Sequence, residues 1–156
     1  MVICGIDPGF DRAGYAFLQN IGASQPVVLS YGVVTTDKSH DFSMRLFELA
    51  EDFVGLFERY QPQYLVLEKL FMGRNITTAL PVAEIRGVLR YLAAKNNIEL
   101  TEVPPNTVKK NVTGYGGADK KQIIQAVTFL LNLPYPPQPD DAADALAIAF
   151  CGFLKF

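Results

Sequence analysis

Four carboxylates sit inside segments that would otherwise read as ordinary core. Asp7 closes the apolar run from Val2 to Ile6, and Glu68 closes the run from Tyr64 to Leu67. Asp141 and Asp144 open a run of alanine, leucine, isoleucine and phenylalanine that continues to Phe150. A carboxylate buried without a partner is costly, so a fold that keeps four of them must supply a shared counter-charge. Hard divalent cations such as Mg²⁺ provide one, through carboxylate oxygens. Any acceptable fold therefore has to gather side chains that are distant along the chain.

Local pattern supplies the elements to do so. Val2 to Asp7 reads as a buried strand that stops at Pro8-Gly9. Gly14 to Gln19 and Val27 to Thr35 read as second and third strands, near enough to form a meander. Phe42 to Tyr60 has helical spacing, with Met44, Leu46, Phe47, Leu49, Ala50, Phe53, Val54, Leu56 and Phe57 on one broad apolar face and Asp41 as N-cap. Tyr64 to Leu67 is a short strand with Glu68 at its carboxyl end. Asn75 to Asn96 is helical in pattern, and Pro81 predicts either a kink or a helix start within it. Ile98 to Val103 is a fifth strand. Pro104-Pro105 leads into a short helix, Lys120 to Leu131 forms another, and Asp140 to Phe153 is the last. This order predicts an α/β fold: a five-stranded mixed sheet, its first three strands an antiparallel meander, flanked by helices. With 156 residues, one domain over 1–156 is expected. Ligands of such sheets bind beyond the carboxyl ends of the strands, where Asp7 and Glu68 both fall. If the first and fourth strands are parallel neighbours, these acids lie about 5 Å apart at the backbone.

Each acid alone has an ordinary explanation. Asp7 suits the turn before Pro8, Glu68 has Lys69 and Arg74 as possible ion-pair partners, and Asp140 and Asp141 suit the first turn of a helix. Asp144, one turn further in, has none. Asp141 and Asp144 share a helix face, and the small residues around them allow close approach to the sheet. A joint metal site is the simpler account. Two divalent ions about 3.5–4 Å apart would serve phosphodiester hydrolysis without a nucleophilic side chain.

Other features narrow the class. Apolar residues make up 49% and charged residues 19%, against disorder. No apolar run reaches the ~20 residues of a membrane span, so no membrane partner is expected. The N-terminus lacks a basic leader, which predicts a cytoplasmic protein. Cys4 and Cys151 have no metal-type spacing and read as reduced, buried thiols; His40 reads as a loop residue. Net charge is only −2. Nine basic and four acidic residues between Lys69 and Lys121 nevertheless make that stretch +5 and the remainder −7. This asymmetry has the form of a nucleic-acid footprint, and solvated helix faces are the alternative. The Gly114-Tyr115-Gly116-Gly117 loop opens a helix whose amides are candidates for a phosphate.

The block Gly5-Ile6-Asp7-Pro8-Gly9 with Gly14-Tyr15, the block Glu68-Lys69-Leu70-Phe71-Met72 with Arg74-Asn75, and the block from Asp141 to Ala149 together resemble the RuvC family of Holliday junction resolvases. The first block alone is shared with actin-like kinases, for which 156 residues are too few. The resemblance implies an RNase H-like fold and a crossover junction endodeoxyribonuclease that makes paired symmetrical nicks in recombination and repair. It implies Mg²⁺, with Mn²⁺ also supporting activity, two ions per site, and Asp7, Glu68, Asp141 and Asp144 as catalytic ligands. It implies a homodimer on four-way junction DNA, a nucleoid-associated location, and a RuvA/RuvB-like branch-migration complex as a further partner. Phe71 falls on a position that stacks on bases, Lys109 and Lys120 on basic positions near the site, and Arg74 and Asn75 on backbone or junction contacts. The helix that carries Pro81 here is one that helps form the family's dimer interface. Asp140 is an extra acid beside the last block. Two alternatives stay open from sequence: an RNase H-like nuclease of the pre-rRNA processing type, and a non-catalytic junction-binding module.

Overall fold

The computed structural model describes residues 1–70 and 76–156, with the backbone alone at 76–78. In chain order it contains β1 (Val2–Asp7), β2 (Arg12–Gln19), β3 (Val27–Thr35), α1 (Phe42–Tyr60), β4 (Tyr64–Glu68), α2 (Ile76–Lys95), β5 (Glu99–Val103), α3 (Pro105–Thr113), α4 (Lys120–Leu130) and α5 (Asp140–Lys155). The sheet order is β3-β2-β1-β4-β5. β1 and β2, and β2 and β3, pair antiparallel, while β1 and β4, and β4 and β5, pair in parallel. The mixed sheet with an opening meander is the expected one, and β1 and β4 are indeed parallel neighbours.

The period-2 alternation of the strands divides the interior between the two faces of the sheet. Ile3 and Val66 point to the face covered by α3, α4 and α5. Cys4, Ile6, Leu65 and Leu67 point to the face covered by α1 and α2. Helices on both faces explain why β1 and β4 are apolar almost throughout rather than alternating. Both cysteines are free and buried, as expected.

Glycine decides how closely α5 sits. A Cβ on Gly5 would lie 2.3 Å from the Ala149 nitrogen and 2.6 Å from the Ala145 oxygen. One on Gly14 would lie 2.1 Å from the Asp141 carbonyl oxygen. The helix thus rests backbone to backbone on β1 and β2, with Ala145 and Ala149 at the contact fully buried. Gly14 is the register partner of Asp7, so this contact carries the first turn of α5 to the end of β1.

Several local expectations shift. α1 buries Leu49, Phe53 and Phe57, but Met44 and Phe47, assigned by spacing to the buried face, are 47% and 58% exposed. α2 runs through Pro81 rather than starting at it; the missing N–H removes one hydrogen bond to the preceding turn. α4 is closed by a capping box, with the Asp119 side chain accepting from Gln122 N–H (2.8 Å) and the Gln122 side chain from Asp119 N–H (2.9 Å). Asp119→Ala removes one half of that exchange. It should cost about 1 kcal/mol, lowering the melting temperature by roughly 2–4 °C in a thermal denaturation experiment. Among the described residues, no helix is long and apolar enough to cross a membrane.

Candidate active site

Beyond the carboxyl ends of β1 and β4 lies a cavity of about 290 Å³. Asp7, Glu68 and Asp144 face it, together with Lys109 and Lys120, and Pro105, Val108 and Ile123 form its apolar wall. Asp7 and Glu68 are there because each ends its parallel strand. Asp144 is there because Gly5 and Gly14 let α5 close on the sheet. Asp141, one turn earlier, lies beside Asp7 at the Gly14 contact and not on the cavity wall.

The electrostatics show that the four acids share one region. Burial, then repulsion from Asp144, Glu68 and Asp141, pushes the Asp7 carboxyl up to about 7, with Lys120 opposing. Glu68 is raised by burial and by Asp144, while Lys109 and Arg86 hold it down. Asp144 is raised by burial, opposed by Lys120. Two cations compensate part of this charge. Lys120 donates to Asp140 and stands 3.4 Å from Asp144 Oδ2. Arg12 Nε stands 3.1 Å from Asp141 Oδ2. That oxygen is buried and accepts no hydrogen bond, so its pairing with Arg12 is one of charge alone. With these side chains so engaged, no three His, Cys, Asp or Glu groups among the described residues close on a point as a ready-made metal cluster.

Sequence reasoning did not find Arg12, the first residue of β2, because the pairing exists only once α5 is seated. It also missed Arg86. This side chain of α2 is buried, donates to the Glu68 main-chain oxygen and pairs with Glu102, which Arg90 also reaches at 2.8 Å. A guanidinium on the carbonyl of Glu68 holds the end of β4 in place. No spacing rule separates Arg86 from the solvated arginines of an amphipathic helix. The amides at the start of α4, read as free for a phosphate, are partly taken: Asp119 and Gln122 cap two of them. Asp140 pairs with Lys120 and lies off the cavity wall. Phe71, Arg74 and Asn75 lie outside the described residues.

A family model, the crossover junction endodeoxyribonuclease RuvC, matches residues 3–152. The chain belongs to the RuvC family. The RuvC of Pseudothermotoga lettingae is 46% identical over 151 residues, 97% of this chain and 93% of that one. The RuvC of Thermosipho melanesiensis is 44% identical, over 97% and 96% of the two chains. Among solved structures, T. thermophilus RuvC in complex with Holliday junction substrate superposes with a TM-score of 0.88, at 29% identity, over 96% of this chain and 90% of that one. The RNase H-like fold and the crossover junction endonuclease class expected from the sequence both stand. RuvC enzymes are metal-dependent nucleases, and the residues here fit a metal. All donors are hard carboxylate oxygens, three of them have raised proton affinity, and Asp141 Oδ2 is buried without a donor.

Proposed function

We propose that this chain resolves four-way DNA junctions by paired, symmetrical nicks, as a homodimer with one site per protomer. Asp7, Glu68, Asp141 and Asp144 hold two divalent ions, Mg²⁺ or in its place Mn²⁺. The observation that carries the reading is the convergence of Asp7, Glu68 and Asp144 on one cavity with two lysines at its wall. Such ions, when bound, lower the proton affinity of a water and stabilise charge on the attacking and leaving oxygens of a phosphodiester. The protein's own groups do the rest. Lys109 and Lys120 attract the phosphate backbone and offset the repulsion among the acids. Val108 and Ile123 keep one wall of the cavity dry. Arg86 fixes the main chain that carries Glu68.

α2 supports the dimer. Leu80 and Tyr91 are 54% and 64% exposed, and with Gly87 they fall on one face of the helix at i, i+7 and i+11. A two-fold interface there would relate two sites as the junction relates its two continuous strands. The alternatives lose ground. A pure binding module has no need of four half-buried acids gathered in one region, and the relatives compared are named as deoxyribonucleases rather than RNA-processing enzymes.

The test is cleavage of several synthetic four-way junctions differing in sequence at the crossover. Expected are nicks at two symmetry-related phosphates with Mg²⁺ or Mn²⁺, none after chelation, a dimer in sedimentation, and no protection by structured RNA in competition. Absence of cleavage with both ions on every junction, or both cuts made by a protomer bound alone, would overturn it.

A further inference from the structure

Between α3 and α4 an aromatic ring stands outside both cores. Tyr115 is 67% exposed, yet its main chain is firmly held. Its N–H donates to the Thr113 hydroxyl (3.1 Å), which donates in turn to the Lys109 carbonyl (2.8 Å). Its carbonyl accepts from Ala118 N–H (3.3 Å). Gly114, at φ 77°, ends α3 with its N–H on the Lys110 carbonyl.

The neighbouring glycines set where the ring lies. A Cβ on Gly117 would come within 2.6 Å of Tyr115 Cζ and Oη, so the ring lies directly on that backbone and the rest of it is in solvent. A Cβ on Gly116 would lie 3.4 Å from the Asn106 carbonyl. Asn106 follows Pro105 of the cavity wall, so the loop folds back onto the rim of the site. Basic residues flank it on both sides: Lys109 and Lys110 in the last turns of α3, Lys120 and Lys121 at the start of α4. Lys109 and Lys120 also line the cavity.

A rigid ring with an exposed surface, set between cations that track a backbone, is the arrangement by which proteins hold unpaired nucleotides. Each stacked base contributes about five- to hundredfold in affinity, and every base offers a π-face. A continuous duplex offers none, because its bases are stacked on one another. We propose that Tyr115 is a stacking platform for an unpaired nucleobase of the strand that enters the cavity, with the flanking lysines on the adjacent phosphates. The inference rests on the junction-resolving reading and adds a residue that selects branched over linear DNA.

The chain contains no tryptophan, so Tyr115→Trp places a sole indole reporter at the site. It is examined in an Asp7→Asn background, where the junction stays uncut, with binding followed independently by anisotropy of a labelled junction. Indole emission should be quenched at saturation with junction and much less with linear duplex of the same length. Tyr115→Ala should bind junction about tenfold more weakly with an unchanged melting temperature, and Tyr115→Phe should bind as the parent does. Wild-type affinity in Tyr115→Ala, unchanged emission on a saturated junction, or a loss in Tyr115→Phe equal to that in Tyr115→Ala would overturn the stacking role. The last result would assign the contact to the hydroxyl. If the protein with Tyr115 intact fails to bind the junction at all, the parent reading falls, and this inference with it.

Discussion

Asp7→Asn should abolish junction cleavage, leave junction binding intact and make the metal-free protein more stable. The cleavage loss should be at least about 100-fold, since removing even an outer-shell partner of a metal ligand costs 10–100-fold. The gain in stability follows from the cluster itself. Burial and three neighbouring acids raise the Asp7 carboxyl from 3.8 to about 7. A carboxyl that binds its proton more tightly folded than unfolded weakens the fold as pH rises through that interval. The metal-free protein should therefore lose stability between about pH 4 and pH 7, on the order of 3 kcal/mol from this group. Asparagine keeps the shape without the charge. Its melting temperature at pH 7.5 should exceed that of the parent by roughly 5–10 °C. Adding Mg²⁺ should narrow the gap by stabilising the parent more than the variant. Thermal denaturation across pH, with and without Mg²⁺, reads all three effects. Retained cleavage, or a variant less stable than the parent without metal, would contradict the assignment of Asp7 to a shared site.

The seam under α5 gives the second large effect. In Gly14→Val, the first added carbon falls 2.1 Å from the Asp141 carbonyl oxygen, and in Gly5→Val 2.3 Å from the Ala149 nitrogen. Both obstacles are main chain, so no rotamer relieves them and the helix must lift. Overpacking of a rigid contact typically costs 1–3 kcal/mol. Displacement of a helix that is buried on most sides should exceed that, at about 4 kcal/mol or more. Gly55→Ala is the matched control: it sits in α1 with nothing within 4 Å of its added carbon. It should stabilise by about 0.5–1 kcal/mol through helix propensity. Chemical denaturation measures the pair. Whatever fraction of Gly14→Val folds should bind Mg²⁺ weakly, because Asp141 and Asp144 move away from Asp7. A Gly14 variant with parental stability would show that α5 does not rest on β2 as described.

These two experiments separate what local sequence encodes from what it does not. The runs ending in Asp7 and Glu68 were legible because an apolar strand, an acid and a turn are consecutive residues. Asp41 as the cap of α1 was legible for the same reason, and its side chain does accept from Met44 N–H. Met44 and Phe47 were misplaced because helical periodicity defines a stripe but not its width, and the width is set by what packs against it.

Short windows of residues encode the elements and the acids at the strand ends, and the order of those elements along the chain implies the mixed sheet. The assembled fold alone makes Gly5 and Gly14 a contact surface for α5, brings Arg12 to Asp141, sets Lys120 between Asp140 and Asp144, and puts Arg86 on the carbonyl of Glu68. Those contacts join segments far apart along the chain. They depend on the register of β1 against β2 and on the height at which a helix rides over the sheet. Both quantities come from packing many side chains at once, and no single stretch of residues records them.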